Sequence, residues 1–551
     1  MRDTDLAAKP FHLDADAIAW VRQTLAKLTP DDKIRQLFNL RSAGDDPEWI
    51  ARQQAFRPGS VTRAPGPSAA REREIIAGFN AAAPTPLLVS ADLEGSRLSL
   101  PGGTEFPNPL ALAAVDDVDA TADVSRRMAI EARAHALNWS FTPVLDINAA
   151  FRSAIVATRG FGSDIETIAR HALKQIEIFQ ANGIAATVKH WPGEGFDDRD
   201  QHLVTTVNPL SMPDWEARFG RLYRAAIDAG VMSVMSAHIA LPAYTRGKTA
   251  DAGLEAFRPA SISRALTHDL LRGELGFNGL IVSDATGMAG LKAWSRRADY
   301  LPEVIAAGND VILFADDPDE DYGYIAAALA DGRLGWDRVD DAITRQLALK
   351  AALGLHMGAG KPVPAPDAIS DRAASRAVTQ RAPTLVKDTQ KLLPLDPTTH
   401  KRVTVISSGI VFPFLPEPIP FELPQMLRER GFVVTDYQKG QPIEPGEIDL
   451  LLYLFGEETL LTRGHIFLDW LRLNGDFIGA MQRHWTEIPT AMISFGFPYY
   501  LYDAPRVPTY INAYSTTRMM QEAVVEALLG KAAWNTHSPI DPFAGDEQAR
   551  Y

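Results

Sequence analysis

A charged segment, KHWPGEGFDDRDQH, spans residues 189–202 and directly follows the apolar run GIAATV. Near its end, Asp200 and His202 lie two residues apart, beyond a Pro-Gly turn. The carboxylate can accept a hydrogen bond from one imidazole nitrogen and leave the other nitrogen free, which gives a tuned acid or base. The same residues also occur in ordinary charged surface loops, so on this pattern alone both interpretations stay open.

A metal site is a further alternative for this segment, because His190, His202 and several carboxylates are close in sequence. Lys189 adjoins His190 and would place a cation beside the metal, which disfavours that alternative. The chain contains no cysteine, which excludes disulfides, thiolate nucleophiles and thiolate metal sites. We expect neither a metal nor another cofactor.

Further ionisable residues stand at or just beyond the C-terminal ends of short apolar runs. They are Asp92, Asp146, Lys189, His190, His238 and Asp284. In a barrel of parallel strands these ends meet at one rim, where the loops that follow the strands build the active site. Each residue taken singly could be an ordinary polar loop residue, but their shared placement favours a site at that rim.

Eight apolar runs alternate with segments of helical periodicity over the first two thirds of the chain. The runs cover residues 36–40, 59–63, 86–92, 141–147, 183–191, 231–239, 279–285 and 310–316. The intervening segments have the apolar spacing of amphipathic helices, and several end at glycine. This α/β pattern predicts a (β/α)8 TIM-like barrel, with a doubly wound open sheet as the structural alternative.

A second series of strands and helices follows a segment rich in glycine, proline and alanine. We assign residues 1–355 to the barrel, 356–380 to a linker and 381–551 to a smaller C-terminal α/β sandwich domain. The five strands predicted in that domain cover residues 402–407, 432–437, 449–455, 489–495 and 508–514. A closing helix is predicted within residues 516–530.

The composition disfavours nucleic-acid binding and membrane insertion as functions of this protein. At 551 residues the chain is too long for one core, and its 69 acidic against 55 basic residues disfavour binding to nucleic acid. The N-terminal region lacks an apolar targeting segment, and no run reaches the roughly 18 apolar residues of a membrane span. We therefore expect a cytoplasmic protein that binds neither nucleic acid nor a membrane. The oligomeric state stays open.

The charged segment resembles the K-H-F-P-G-H-G-D-T-x-x-D-S-H signature of glycoside hydrolase family 3, in particular its bacterial β-N-acetylhexosaminidase branch. The stretch PASISRALTHDLLRGELGFNGLIVSDATGM resembles the nucleophile segment of that family, and SADLEGSRL resembles its D-Q-E-G-G-R-V loop. FTPVLDI with TRGFGSD is similar to its fourth-strand segment, and APTLVKDTQKLLPL with ISFGFPYYL to its C-terminal domain. The resemblance extends from about Asp31 to Gly530.

The resemblance implies a retaining, exo-acting β-glycosidase that works by double displacement on a small glycoside or oligosaccharide. It implies that Asp284 is the nucleophile and that His202, paired with Asp200, is the acid/base. The residues that it implies for binding sugar hydroxyls are Asp92, Arg159, Lys189 and His190. β-N-Acetylglucosamine is the expected sugar.

Several positions depart from the family pattern around the expected sugar site. Glu194 stands where the family has histidine, Gln201 where it has serine, and Leu100 where some members carry a second arginine. Another β-hexoside therefore stays open as substrate. A β-N-acetylglucosaminide phosphorylase is a second alternative, because a histidine acid/base does not repel a phosphate dianion as a carboxylate does. A non-catalytic carbohydrate-binding protein is the third.

Overall fold

Eight parallel strands close into a barrel in the N-terminal part of the chain. The computed structural model describes residues 4–64, 66, 68–358, 364–413 and 415–551. The strands of this part are β1 (Phe38–Ala43), β2 (Ser60–Ala64), β3 (Leu88–Ala91), β4 (Trp139–Ser140), β5 (Ala185–Trp191), β6 (Thr206–Val207), β7 (Ser233–Ser236), β8 (Ile239–Ala240), β9 (Leu280–Ala285) and β10 (Val311–Leu313). The barrel order is β1-β2-β3-β4-β5-β7-β9-β10, and β6 pairs with β8 in a separate small sheet.

Helices pack around the barrel and connect its strands. They are α1 (Ala15–Lys27), α2 (Pro30–Gln36), α3 (Pro47–Phe56), α4 (Ala69–Ala82), α5 (Pro109–Val115), α6 (Val118–Ala134), α7 (Ile165–Ala181), α8 (Met212–Trp215), α9 (Arg221–Asp228), α10 (Pro242–Lys248), α11 (Ala289–Lys292), α12 (Arg297–Ala306), α13 (Pro318–Ala330) and α14 (Trp336–Ala352). In α7, Asp164 caps the N-terminus, and residues buried at helical spacing, such as Ile168 and Ile176, face the core. None of the described helices has the length and apolar composition that crossing a lipid bilayer requires.

The predicted barrel is confirmed, and one of its strands differs from the expectation. The run at 141–147 was expected to be the fourth strand, but β4 ends at Ser140. Pro143 has no N–H to donate and therefore interrupts the ladder. The chain nevertheless continues beside β5, because the N–H of Leu145 donates to the carbonyl of Lys189 at 2.7 Å. This extension keeps Asp146 next to the end of β5.

The C-terminal part of the chain forms a six-stranded sheet. Its strands are β11 (Thr384–Asp388), β12 (Arg402–Val411), β13 (Val433–Asp436), β14 (Leu450–Glu457), β15 (Thr490–Ser494) and β16 (Thr509–Asn512), in the spatial order β11-β16-β15-β14-β12-β13. Its helices are α15 (Ala368–Thr379), α16 (Leu423–Arg428), α17 (Trp470–Asn474), α18 (Phe477–Ala480) and α19 (Arg518–Leu528). The edge strand β11, antiparallel to β16, adds to the five predicted strands.

The region expected to be a linker, residues 356–380, is partly helical. Residues 359–363 lie outside the described part of the chain, whereas α15 occupies the second half of the range. Asp367 accepts hydrogen bonds from the N–H groups of Ile369 and Ser370 and so caps that helix. The alanine-rich sequence that follows the cap is compatible with a helix.

The two parts of the molecule share an apolar core at their junction. Leu110 and Ala114 of the barrel region belong to the same buried cluster as the strands of the C-terminal sheet. Asn108, which caps α5, donates a hydrogen bond from Nδ2 to the carbonyl of Tyr514 at 2.7 Å. The C-terminal domain is thus packed against loops that follow β3 and β4, on the side of the barrel where the strands end.

Candidate active site

The structure brings the predicted site residues to the rim formed by the C-terminal ends of the barrel strands. Four of them lie in or directly after strands, namely Asp92 after β3, Lys189 and His190 in β5, and Asp284 in β9. The other three lie in loops, namely Arg159 between β4 and α7, and Asp200 and His202 between β5 and β6. This is the rim at which barrel enzymes carry their catalytic groups.

Glu94, which the sequence analysis did not select, binds two of these residues and is linked to a third through Lys189. Arg159 donates two hydrogen bonds to its carboxylate, from Nε at 2.8 Å and from Nη2 at 2.9 Å. Lys189 Nζ lies 2.8 Å from Glu94 Oε1 and 2.8 Å from Asp92 Oδ1. Burial raises the pKa of Glu94, but the charges of Arg159 and Lys189 outweigh it and hold the pKa well below its usual range. Glu94 is therefore ionised and fixes both cations.

Asp92 presents the most open carboxylate of this group. Its side chain is 43% exposed, whereas that of Lys189 is buried. A carboxylate and an ammonium group side by side can accept from and donate to neighbouring hydroxyl groups of a sugar. The pair at the end of β3 and β5 has the chemistry that sugar binding needs.

Asp146 holds His190 in place. The imidazole Nδ1 lies 2.6 Å from Asp146 Oδ2, and the N–H groups of His190 and Glu194 both donate to Asp146 Oδ1. Asp146, His190 and Glu194 bring three potential ligand atoms within 4.8 Å of one another, the spacing of a metal site. The lone pairs of Asp146 already accept hydrogen bonds from the protein, so the group acts as a hydrogen-bonded support for the imidazole.

Asp284 lies almost at the end of β9 and is largely buried. The N–H of Ala285 donates to its Oδ1 at 2.7 Å. Burial raises the pKa of Asp284, but the nearby imidazoles, first His190, and the hydrogen bond from the N–H of Ala285 outweigh it and lower the pKa below its usual value. The carboxylate is therefore ionised at neutral pH, and no arginine or lysine of the described residues is bound to it.

His238 contacts the backbone next to Asp284 and is a neutral imidazole. Its Nε2 lies 3.0 Å from the carbonyl of Ala285, so this nitrogen carries the proton, and Nδ1 accepts from Ser261 Oγ at 2.8 Å. Burial lowers the pKa of His238, which agrees with that protonation state. The ring thus fixes the backbone that carries Asp284.

Asp200 and His202 form the dyad that their spacing predicts. The imidazole Nδ1 and the backbone N–H of His202 both lie 2.7 Å from Asp200 Oδ1. Burial raises the pKa of Asp200, but its hydrogen bonds, first the one from His202, lower it below the usual value. The ionised carboxylate fixes the proton on Nδ1 and leaves Nε2 as the free nitrogen of a ring that is 23% exposed.

The loop that carries the dyad is hydrogen bonded to the start of α11, the short helix that follows β9 and Asp284. The N–H of Ala289 donates to the carbonyl of His202 at 2.9 Å, and Thr205 Oγ1 donates to the carbonyl of Gly290 at 2.6 Å. A Cβ atom at Gly290 would lie 2.3 Å from the carbonyl oxygen of Gln201, so only glycine allows this approach. This contact holds His202 on the side of the site where Asp284 lies.

Comparison with known proteins identifies the family. Residues 29–349 match the model described as the glycosyl hydrolase family 3 N-terminal domain. The chain belongs to glycosyl hydrolase family 3. The predicted family is confirmed, and with it the interpretation of the chain as a glycoside hydrolase rather than a non-catalytic sugar-binding protein.

Three similar proteins illustrate the range of named activities. The chain is 38% identical to a β-N-acetylglucosaminidase/β-glucosidase of Cellulomonas fimi, over 98% of this chain and 99% of that protein. It is 33% identical to a β-hexosaminidase of Stenotrophomonas maltophilia over 48% of this chain and 81% of that protein. The solved structure of the β-glucoside phosphorylase BglX is 32% identical, covers 99% of both chains and superposes with a TM-score of 0.91.

In this family 3 enzyme, Glu194 and Gln201 both depart from the family signature, and their side chains contact each other. Gln201 Nε2 donates to Glu194 Oε2 at 3.0 Å, while Gln201 Oε1 accepts from the N–H of His238 at 3.0 Å. Burial raises the pKa of Glu194 well above its usual value, and the carboxylates of Asp146 and Asp284 raise it further against the opposing charge of Arg159. Glu194 therefore holds its proton to a higher pH than an exposed glutamate does. The substituted pair links the dyad loop to the backbone just after β7.

Of the residues and contacts that the sequence analysis missed, one could have been predicted from the sequence and the others could not. Glu94 follows Asp92 by two positions, and residues two apart in an extended chain point to the same side, so this pattern could have indicated it. Asp146 was recognised as a strand-end residue, but its role as the partner of His190 depends on the packing of β4 against β5. The Glu194–Gln201 contact arises from the fold of the loop and has no signature in the sequence.

The raised pKa of Glu194 predicts a pH dependence of stability. Below about pH 4.5 both the folded and the unfolded chain carry the Glu194 proton, so this group does not affect stability. Above that pH the unfolded chain releases the proton while the folded chain still holds it. The free energy of unfolding of the wild type therefore falls as pH rises, by up to about 1.4 kcal/mol per pH unit. Glu194→Gln cannot titrate. We expect the melting temperature of Glu194→Gln to rise relative to the wild type from pH 5 to pH 8.

Glu177→Gln is the matched control, because the side chain of Glu177 lies on α7 and is 62% exposed. Its melting temperature should follow that of the wild type across the same pH range. Parallel profiles for Glu194→Gln and the wild type would show that Glu194 is ionised in the folded protein.

Proposed function

We propose that this family 3 enzyme is a retaining, exo-acting β-glycosidase that cleaves β-N-acetylglucosaminides through a glycosyl-Asp284 intermediate. One observation carries the proposal: the segment that follows β9, the strand of the ionised and buried Asp284, is hydrogen bonded to the loop that carries the carboxylate-bound His202, because the N–H of Ala289 donates to the carbonyl of His202. Retaining cleavage needs a nucleophilic carboxylate and a proton donor at the leaving oxygen.

In the first step, Asp284 attacks the anomeric carbon and the bond from that carbon to the leaving oxygen breaks. His202 begins as an imidazolium, whose charge the Asp200 carboxylate stabilises, and gives its Nε2 proton to the leaving oxygen. In the second step, the neutral His202 takes a proton from water, and the oxygen of that water displaces Asp284 from the sugar. The proton returns to Nε2, so the enzyme is restored.

Asp92, Arg159, Lys189 and His190 are the proposed sugar-binding residues. Asp92 offers an accessible acceptor, the buried Lys189 beside it is a donor, and Glu94 fixes Lys189 and Arg159. The N-acetylglucosaminidase and hexosaminidase names of the relatives support N-acetylglucosamine as the sugar. A β-glucoside is the alternative sugar, since the Cellulomonas fimi relative is also named a β-glucosidase.

The dyad assignment predicts a leaving-group effect. His202→Ala should lower kcat/KM strongly for aryl glycosides with poor leaving groups and weakly for dinitrophenyl glycosides, since a dinitrophenolate departs without protonation. Asp200→Ala should show the same trend, because the imidazole loses its orientation and its charge partner. Because the two residues act as a unit, the double variant should be no worse than the more severe single one.

The measurement is kcat/KM across aryl β-N-acetylglucosaminides of graded leaving-group pKa. Glu177→Gln, far from the rim on α7, is the control and should keep the wild-type slope. A slope for His202→Ala no steeper than that of the wild type would mean that another residue supplies the proton.

Phosphorolysis is the second candidate function, and the similarity to a β-glucoside phosphorylase over 99% of both chains favours it. In that reaction a phosphate oxygen, rather than water, displaces Asp284 from the sugar. A histidine acid/base suits this step, because it carries no negative charge that would repel the incoming dianion. Turnover should be compared with and without inorganic phosphate, and the products separated. Glycosyl phosphate formed at a rate that saturates with phosphate assigns a phosphorylase, whereas free sugar at a phosphate-independent rate assigns a hydrolase.

A further inference from the structure

The five residues Glu458–Thr462, which we call the bridging segment, leave the C-terminal sheet directly after β14 and run to the rim of the barrel. Their first residue is anchored on both domains. Glu458 Oε1 accepts hydrogen bonds from Ser96 Oγ of the barrel at 2.8 Å and from the N–H of Thr516 at 2.7 Å. The carboxyl group is buried, so this anchor is screened from water.

Two further hydrogen bonds fasten the bridging segment to the loop that follows β4. Thr158 Oγ1 donates to the carbonyl of Glu458 at 3.3 Å, and the N–H of Leu460 donates to the carbonyl of Ala154 at 3.1 Å. The segment therefore crosses the loops after β3 and β4 before it reaches the loop that carries the dyad.

The bridging segment ends on the dyad itself. The backbone N–H of Thr462 donates to Asp200 Oδ2 at 2.7 Å. Asp200 Oδ1 is already shared by the ring and the backbone N–H of His202. Among the described residues, the Thr462 N–H provides the hydrogen bond to Oδ2. The carboxylate is thus held from opposite sides by the barrel loop and by the C-terminal domain.

We propose that the bridging segment is a positioning element for the acid/base, and that the N–H of Thr462 holds Asp200 in the orientation and ionisation state that His202 requires. The inference rests on the proposed function, since it takes Asp200 and His202 as the acid/base dyad. It gives the C-terminal domain a part in catalysis although none of its side chains belongs to the proposed catalytic residues.

The physical basis is the burial of Asp200. A buried carboxylate oxygen that loses its hydrogen-bond donor is desolvated without compensation, which raises the free energy of the ionised group. This favours rotation of the carboxylate or its protonation. Either change weakens the hydrogen bond to His202 Nδ1 and the stabilisation of the imidazolium. The Thr462 hydrogen bond is among the interactions that lower the pKa of Asp200.

Thr462→Pro tests the inference, because proline has no N–H and cannot adopt the φ of +65° that Thr462 has. For glycosides with poor leaving groups, we expect kcat/KM to fall about 10- to 100-fold, the rate equivalent of one hydrogen bond to a charged group. For dinitrophenyl glycosides we expect little change, which also shows that the rest of the site is folded. Thr462→Gly is the conservative variant, since glycine keeps the N–H and favours this φ, and it should retain the wild-type leaving-group slope.

The Asp200→Ala background separates positioning from a general structural effect. Thr462→Pro should cause no further loss there, because the residue acts through Asp200. If Thr462→Pro fails to fold, Thr158→Val provides the test, since it removes the hydroxyl that holds the carbonyl of Glu458; we expect a smaller loss with the same leaving-group trend.

The outcomes distinguish this inference from the proposed function. A loss that is equal for all leaving groups, or one that persists in the Asp200→Ala background, would overturn the positioning role. If His202→Ala shows the leaving-group trend and neither Thr462→Pro nor Thr158→Val does, only the positioning role fails. If His202→Ala itself lacks the trend, the acid/base assignment fails and the inference falls with it.

Discussion

Too many carboxylates converge on the rim of the barrel for all of them to be ionised and unpaired. The structure resolves this by giving most of them a separate partner. Glu94 binds Arg159 and Lys189, and each of two further carboxylates binds one imidazole. For Glu194, burial and the neighbouring carboxylates instead raise the pKa well above its usual value, which favours the protonated form. Asp284 remains ionised near several histidines, and within the part of the chain that the structure describes no arginine or lysine is bound to it, which is the state that a nucleophile needs.

This distribution of charge depends on elements that lie far apart in the sequence. The strands of the barrel bring β3, β5 and β9 to one rim, but the dyad loop between β5 and β6 has no strand to hold it. It is held by the start of α11, which follows Asp284, and by the bridging segment of the C-terminal domain. The shared apolar core near Leu110 packs the two domains against each other, and the contact between the bridging segment and the dyad loop depends on that packing.

The sequence predicted the parts of this arrangement that depend on local pattern. The apolar runs indicated the barrel, and the spacing of Asp200 and His202 indicated a carboxylate–imidazole pair, which the structure contains at 2.7 Å. The short β4 was not anticipated, because an apolar run that contains Pro143 looks like a strand until the missing N–H is considered. The edge strand β11 pairs on one side, and its sequence TLVKD ends in two charged residues, so it lacks the apolar run that marked the central strands.

Contacts made by backbone atoms could not be predicted from the sequence. The N–H of Thr462 reaches Asp200 across 262 positions, and any residue except proline can supply such a donor. The same holds for the contact between Ala289 and His202, which needs only a close approach of two segments. Glu94 is different, since its position two residues beyond Asp92 did carry a signal.

The central claim is that, among the described carboxylates of this rim, Asp284 is the one that attacks the sugar. Trapping the wild-type enzyme with an activated fluorinated β-glycoside tests it most directly, because the electron-withdrawing fluorine slows breakdown of a covalent intermediate. Proteolysis and mass spectrometry should then find one glycosyl group on the peptide that contains Asp284. A glycosyl group on Glu194, Asp92 or another carboxylate would contradict the account.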